Sequence, residues 1–147
     1  MKSKKTRRKY LRLAFDGYSA SGKSLGAKLI SKKYKLNLLN SGLLYRYAAF
    51  LILKNNPKYK NSFLKKEFKK LNYKLLTRMN LHTEKISNYS SIIAKQKKIR
   101  IILKDFQKKF ATKYNKIAIE GRDISSKILN KNPRYDLAFF FKCNLNT

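Results

Sequence analysis

The sequence contains one cysteine, one histidine and no tryptophan. A single cysteine, Cys143, excludes an intramolecular disulfide and any metal site built from several cysteines. His82 cannot form a metal site alone, and we interpret it as a structural or solvent residue. With so little cysteine chemistry, we expect an intracellular protein.

Long apolar segments are also missing. No stretch approaches the ~18 uninterrupted apolar residues of a membrane span. The basic start, residues 1–9, leads within a few residues of mixed character to Asp16, and it lacks the apolar core of a signal peptide. We therefore expect a cytoplasmic protein with no membrane partner.

Acidic residues are few. The formal net charge is +30, from 37 basic and 7 acidic residues, a balance typical of proteins that bind nucleic acid or an anionic membrane. The lysines, however, are spread over nearly the whole chain beside many Asn, Ile, Tyr and Phe residues, a mixture that an AT-rich coding sequence also produces. Because no recognisable DNA- or RNA-binding motif accompanies the charge, we do not expect specific nucleic-acid binding.

A phosphate-binding signature is present near the start of the chain. Residues 17–24 match G-x-x-x-x-G-K-[ST] in full. In such a loop the backbone N–H groups surround phosphates, the lysine reaches the terminal phosphates, and the hydroxyl ligates Mg²⁺. The pattern predicts binding of ATP with Mg²⁺ by Gly17, Tyr18, Ser19, Ala20, Ser21, Gly22, Lys23 and Ser24.

The context of this loop is that of a strand, a loop and a helix. Residues 10–16 predict a short buried strand, and the residues after Ser24 predict a helix to about Lys35. A second strand is predicted over residues 36–39, followed by a buried helix over 43–53 with Ser41 near its N-cap. This alternation predicts an α/β fold with a parallel sheet and helices on both faces.

In the remaining chain, the spacing of apolar residues again predicts helices and strands. Residues 58–85 suggest a short helix around Phe63, Leu64 and Phe68, and then a strand at residues 73–76. An amphipathic run, which includes Ile92 and Ile93, predicts one helix from 86 to 113. Two further strands are predicted over residues 116–120 and 136–141. At 147 residues, we expect a single domain over residues 1–147, with its core at about 10–54 and 86–147.

Several segments together resemble bacterial cytidylate kinase, a nucleoside monophosphate kinase of the P-loop fold. The family has Leu-Asp-Ser-Gly-x-x-Tyr-Arg after its second strand and Asp-Gly-Arg-Asp after a later one. Here these segments are residues 39–46, LNSGLLYR, and residues 120–123, EGRD. An Asn-x-x-Ser at 88–91, an arginine nine residues on and Gln107 also fall in the family's order, and the resemblance covers roughly residues 10–143.

The resemblance implies a reaction and a role for each matching residue. The chain would phosphorylate CMP or dCMP with ATP and Mg²⁺, with Lys23, Arg46 and Arg122 as catalytic residues. The acceptor phosphate would be held by Arg46 and Arg122, since guanidinium groups bind phosphate in bidentate fashion. The residues implied to bind the acceptor nucleotide are Ser41, Arg46, Ser91, Arg100, Arg122 and Asp123, of which Ser41, Arg100 and Asp123 would read the cytosine and Ser91 the ribose.

Two carboxylates are candidates for Mg²⁺. Asp16 and Glu120 each end a predicted strand and each precede a glycine. We predict a metal site formed by Ser24 and Asp16, with Glu120 as a further candidate. The alternative role of both carboxylates is to orient the backbone of the loop.

The sequence also departs from the family. Asn40, His82 and Glu120 stand where the family has Asp, Arg and Asp, and the nucleotide-binding insertion, about residues 55–85, is reduced. The family continues beyond its last matching strand into an arginine-rich helix and a lid, whereas this sequence stops at Thr147. We therefore expect a fold truncated at its C-terminus and a monomeric chain whose activity is impaired, since one lost cationic clamp can cost about 10³ in rate.

Two other functions remain open. The first is another small-substrate P-loop kinase, related to shikimate, adenylate or thymidylate kinase, although residues 40–42 and 121–123 do not match the acceptor motifs of those families. The second is a non-catalytic basic protein that binds RNA through its lysines and retains a vestigial loop. ATP binding that depends on Lys23 would exclude the second function.

Overall fold

The computed structural model describes residues 9–144 and divides into two compact units. Among the described residues, the first unit comprises 9–38 and 111–144, and the second comprises 39–110. The expectations for residues 1–8 and 145–147 lie outside the described residues. That the chain is a single kinase domain stays a prediction.

Secondary structure follows the predicted alternation. The strands are β1, Leu11–Gly17; β2, Asn37–Asn40; β3, Lys116–Gly121; and β4, Leu137–Phe141. The α-helices are α1, Lys23–Tyr34; α2, Ser41–Asn55; α3, Lys60–Lys69; α4, Glu84–Ile93; and α5, Lys97–Lys113. A 3₁₀ turn spans Tyr73–Arg78 and a π-helical turn spans Ile124–Ile128.

The strands form one parallel sheet in the order β2-β3-β1-β4. Central β1 pairs with β3 and with β4, so that Phe15 is opposite Glu120 on one side and Phe139 on the other. Because strands in parallel register end at the same edge, the residues that follow β1 and β3 are placed together. The predicted α/β fold with a parallel sheet is confirmed.

The core of the first unit lies between this sheet and α1. Leu13 and Phe15 of β1 are buried against Ala27 of α1, with Leu36 and Ala118 beside them. Alternate residues of a strand point to one face, so Leu13 and Phe15 share the face that α1 covers. This packing attaches the start of α1 firmly to the end of β1.

The second unit is helical. Helix α2 packs against α3 and α4, with Leu44, Ala48 and Ile52 buried on one face at helical spacing. Asn40 caps α2 by accepting a hydrogen bond from the N–H of Leu43 at 3.2 Å. The predicted buried helix is confirmed, and Ser41 is its first residue.

Two predictions for the second unit are wrong. The helix predicted over 86–113 is broken between α4 and α5, because Ile93 and Ile99 are both fully buried and a spacing of six residues is about 240° on one continuous helix. Ile92, predicted to face the core, is 57% exposed.

The strand predicted at residues 73–76 is the 3₁₀ turn, in which Leu76 is buried and Leu75 is exposed. The helix predicted around Leu64 and Phe68 is confirmed as α3.

Within residues 9–144, none of the helices combines the length and the apolar character that crossing a membrane requires.

Candidate active site

The signature loop joins β1 to α1 in the first unit. Ala20 and Gly22 have φ values of 59° and 83°, in the left-handed region that glycine adopts most easily. The Ser21 hydroxyl donates to the carbonyl of Tyr18 at 2.7 Å and closes the turn. Because Gly22 is the N-cap of α1 and has no side chain, the first N–H groups of the helix are left for an anion.

Gly17 is required for a different reason: the backbone of β4 passes too close to it to leave room for a side chain. A Cβ at this position would lie 2.7 Å from the main-chain oxygen of Phe141. Residue 17 therefore allows β4 to pair with β1 as far as the start of the loop.

Lys23 lies where β1 and β3 end. Its Nζ donates to the carbonyl of Gly17 at 3.1 Å and to the carbonyl of Gly121 at 3.0 Å. Burial lowers the pKa of Lys23, and Arg122 lowers it further, whereas Glu120 and Asp16 raise it. An ammonium has three donors, so one remains for a phosphate oxygen.

Asp16 is buried and bound to the backbone after β3. Its carboxylate accepts hydrogen bonds from the N–H of Ile124 at 2.6 Å, from the N–H of Ser125 at 3.0 Å and from the Ser125 hydroxyl. This is the loop-orienting role that the sequence left open for Asp16. Its role as a metal ligand stays a prediction.

Glu120 is also buried, with 3% of its surface exposed. Burial raises the pKa of this carboxyl, while a hydrogen bond from Ser24 and the charge of Lys23 lower it. Its Oε2 has no hydrogen-bond partner among residues 9–144. A carboxylate oxygen and a serine hydroxyl are oxygen ligands of the kind that Mg²⁺ binds, so Glu120 and Ser24 fit this metal or its water shell.

Arg122 and Asp123 follow directly after β3 and its terminal Gly121. The Nη2 of Arg122 donates to the Ser19 hydroxyl at 3.2 Å. Asp123 lies 3.5 Å from the ammonium of Lys127, in an exposed ion pair that contributes little to stability. The structure thus joins the two predicted segments of the first unit into one group, which we call the sheet cluster: Asp16, Ser19, Lys23, Ser24, Glu120 and Arg122.

The second unit holds the other predicted residues. The Nη1 of half-buried Arg46 donates to the carbonyl of Leu81 at 3.3 Å and to the Ser87 hydroxyl. On α4, the hydroxyl of Ser91 donates to the carbonyl of Ser87 at 3.2 Å. These contacts define the helix cluster: Arg46, Ser87 and Ser91.

Three further predicted residues of this unit lie on separate elements. Ser41 is buried at the start of α2, and Arg100 is exposed on α5. Exposed His82 precedes Thr83, whose hydroxyl caps α4 by accepting from the N–H of Ile86 at 3.3 Å. The exposure of His82 agrees with a solvent residue.

Two serines that contact the predicted site residues were not predicted from the sequence. Ser125 binds Asp16, and nothing in the sequence marks it. Ser87 binds Arg46, and it could have been found because it lies four residues before Ser91, which is the spacing of one helix face.

Comparison with known proteins identifies the relatives of this chain. A family model described as cytidylate kinase matches residues 13–140. The chain is 30% identical over 142 residues to a cytidylate kinase of Listeria innocua, 33% identical over 141 residues to one of Clostridioides difficile, and 32% identical over 138 residues to one of Bartonella tribocorum. These alignments cover 87%, 87% and 92% of this chain, and 62% of the length of each relative.

Proposed function

Because this chain belongs to the cytidylate kinase family, we propose that it transfers a phosphoryl group from ATP to CMP or dCMP. The observation that carries the proposal is the sheet cluster, in which the Lys23 ammonium lies between the carbonyls of Gly17 and Gly121. It combines a cation, a helix N-terminus and a buried carboxylate at the end of one sheet. These are the groups that hold a nucleoside triphosphate.

In this proposal the ATP phosphates bind residues 17–24. The N–H groups at the start of α1 donate hydrogen bonds to the phosphate oxygens. The third N–H donor of Lys23 binds the terminal phosphates, and the lowered pKa of Lys23 rises again because the anion offsets the cost of burial.

The metal would be held by Ser24 with a carboxylate. Asp16 is the ligand predicted from sequence, but its carboxylate already accepts three hydrogen bonds. Glu120 has the buried oxygen without a partner, which makes it the stronger candidate. Held by Ser24 and a carboxylate, Mg²⁺ would supply positive charge that offsets the charge of the phosphates during transfer.

The acceptor nucleotide is assigned to the residues that the family resemblance implies. Arg46 and Arg122 bind its phosphate, Ser91 binds its ribose, and the base is read by Ser41, Arg100 and Asp123. A guanidinium has five N–H donors, so contacts from Arg46 to Leu81 and Ser87 leave donors for phosphate oxygens. A carboxylate such as Asp123 accepts from the amino group of cytosine.

Chemistry of this kind requires no covalent intermediate. The protein's contribution is to align the two nucleotides and to stabilise charge on the transferring group. The stabilising positive charges are those of Lys23, Arg46 and Arg122. The hydrogen bond from Arg122 to Ser19 orients the Arg122 guanidinium.

A substrate panel tests the proposal. Purified protein is incubated with ATP and Mg²⁺ and with CMP, dCMP, UMP or AMP, and nucleoside diphosphate formation is measured. We expect turnover of CMP and dCMP well above that of UMP and AMP. A preference for AMP, or for a substrate that is not a nucleotide, would favour another P-loop kinase, and no turnover of any substrate would contradict a kinase function.

The chain spans 62% of the length of the curated relatives it matches. The impaired turnover expected from the sequence stays a prediction, as do the monomeric state and the cytoplasmic location. The same assay on the Listeria innocua relative provides the comparison. Equal turnover of the two proteins would contradict impairment.

A further inference from the structure

The edge of the sheet where the strands begin carries a second cluster, distant from the phosphate loop. We name it the basic edge and define it as residues 9–12, 33–37, 111–116 and 134–136, all in the first unit. Strand β1 runs from this edge to Gly17, a distance of about 20 Å at the usual rise per residue. A ligand bound there is separate from the proposed ATP site.

Hydrogen bonds to main-chain groups hold these four segments together. The N–H of Leu11 donates to the carbonyl of Asn115 at 2.8 Å, and the Asn37 side chain donates to the carbonyl of Lys116 at 3.2 Å. Arg12 donates through Nε to the carbonyl of Ala111 at 3.3 Å and through its N–H to Asp136 at 2.8 Å. Each of these hydrogen bonds has a main-chain group as one partner, so the four segments are fixed against the backbone of the sheet.

Exposed cations from each segment converge on this edge. Asp136 is the one acidic residue in these segments, and one of its carboxylate oxygens accepts the N–H of Arg12. The exposed basic side chains are Lys9, Lys33, Lys35, Lys113, Lys116 and Arg134. The edge therefore carries a large local excess of positive charge, which attracts a polyanion.

Tyrosines lie among these cations. Tyr10 is 46% exposed and Tyr34 is 53% exposed. The cationic groups of Lys9 and Arg12 lie 5.5 Å and 5.6 Å from the centre of the Tyr10 ring, and that of Lys33 lies 5.6 Å from the Tyr34 ring. Contacts between a lysine and the ring of an adjacent tyrosine also occur elsewhere, as with Lys58 and Tyr59. The basic edge differs in that several such contacts lie on one edge of the sheet.

We propose that the basic edge binds single-stranded nucleic acid, with lysines on the phosphates and Tyr10 and Tyr34 stacked on bases. Alternating cations and aromatic rings are how proteins bind single strands without sequence preference. This differs from specific recognition, for which the sequence provides no motif. An anionic membrane fits less well, since the exposed large apolar side chains in these segments are tyrosines and not the Leu, Phe or Trp that insert into lipid.

The test is fluorescence anisotropy of labelled 12-residue oligo(U) and oligo(dT), with inorganic polyphosphate and anionic vesicles as competitors. The edge variant replaces Lys33, Lys35, Lys113 and Lys116 by Gln. The matched variant replaces Lys65, Lys66, Lys69 and Lys74, exposed residues of the second unit, so both proteins lose the same charge. We expect the edge variant to bind far more weakly and its salt slope to fall by about 3, with little change in the matched variant.

Stacking is tested separately. We expect Tyr10→Ala and Tyr34→Ala each to weaken binding roughly tenfold, whereas Tyr10→Phe and Tyr34→Phe retain it. Tyr59→Ala, at a tyrosine 68% exposed in the second unit, is the control. Lys23→Ala should leave binding unchanged, which separates this site from the phosphate loop.

Three results would overturn the proposal. The first is equal weakening by the two lysine variants, which would indicate diffuse charge alone. The second is competition by polyphosphate as strong as by an unlabelled oligonucleotide, which would remove any role for bases. The third is tighter binding to vesicles than to either oligonucleotide, which would indicate a membrane. Comparison of the affinities for oligo(U) and oligo(dT) then shows whether RNA or DNA is preferred.

Discussion

The two clusters hold their charges in different ways. In the sheet cluster, Lys23 is bound by main-chain carbonyls at the ends of β1 and β3, and Asp16 binds main-chain N–H groups. In the helix cluster, Arg46 is held by one carbonyl and the hydroxyl of Ser87. Sheet register thus positions the first cluster, whereas side chains on α2 and α4 position the second. We expect substitution of Lys23 in the sheet cluster to affect ATP, and substitution of Arg46 in the helix cluster to affect the acceptor nucleotide.

The largest effect is expected from Lys23→Ala. Removing the cation proposed to reach the terminal phosphates should lower kcat/KM about 10³-fold and weaken ATP binding. Exposed Lys28 on the same helix provides the matched control, Lys28→Ala. Similar losses in both variants would show that general positive charge, and not the position of Lys23, is responsible.

The helix cluster is tested by Arg46→Lys. A lysine retains the charge but loses the planar fork, which binds Ser87 and is proposed to bind phosphate oxygens as well. We expect kcat/KM for CMP to fall on the order of 100-fold, with ATP affinity unchanged. The control is Arg78→Lys, at an exposed arginine of the same unit, which should have no effect. Loss of ATP affinity in Arg46→Lys would contradict the assignment of Arg46 to the acceptor nucleotide.

Glu120→Gln sharpens the account of the metal. Burial raises the pKa of Glu120 in the folded protein, so the folded state binds its proton more tightly than the unfolded state does. Its contribution to stability is therefore greatest below the unfolded value, near 4.5, and is lost as pH rises through the folded pKa. Gln cannot ionise and should flatten this decline, while weakening Mg²⁺-dependent ATP binding roughly tenfold.

Urea unfolding from pH 4 to pH 8 measures the first effect, and ATP titration with and without Mg²⁺ measures the second. Asp16→Asn is the contrasting variant. Because its carboxylate binds two backbone N–H groups, we expect it to destabilise the protein by about 2 kcal/mol. If Asp16→Asn abolished the Mg²⁺ dependence and Glu120→Gln did not, Asp16 would be the ligand.

The smallest effect is expected from Gly22→Ala. The residue has φ of 83°, and a Cβ there would meet no atom within 4 Å, so the cost is backbone strain of about 1 kcal/mol. Thermal unfolding should show a midpoint lower by about 3 °C. Gly22→Asn, which tolerates this conformation better, should lose less, and an equal loss would argue against backbone strain as the cause.

The sequence predicts the first unit better than the second. Each strand near the phosphate loop is a short apolar run that stops at a glycine or a polar residue, so β1 and β3 are found within a residue or two. In the second unit, apolar spacing alone predicts one helix over 86–113. The break between Ile93 and Ile99 depends on both residues facing the interior, which a single-sequence pattern does not record.

Only the part of the candidate site that is local in sequence could be predicted. The motif at 17–24 marks Lys23 and Ser24 because their spacing is local. The sequence could not rank Asp16 against Glu120, since both end a strand before glycine. The ranking comes from hydrogen bonds to Ile124 and Ser125, more than a hundred residues away in sequence.

Calorimetric titration of ATP with Mg²⁺, and separately of CMP, into the wild type, Lys23→Ala and Arg46→Lys tests the central claim most directly. We predict that the wild type binds both nucleotides, that Lys23→Ala loses ATP and keeps CMP, and that Arg46→Lys loses CMP and keeps ATP. Binding of neither nucleotide by the wild type, or equal weakening of both nucleotides by each variant, would contradict it.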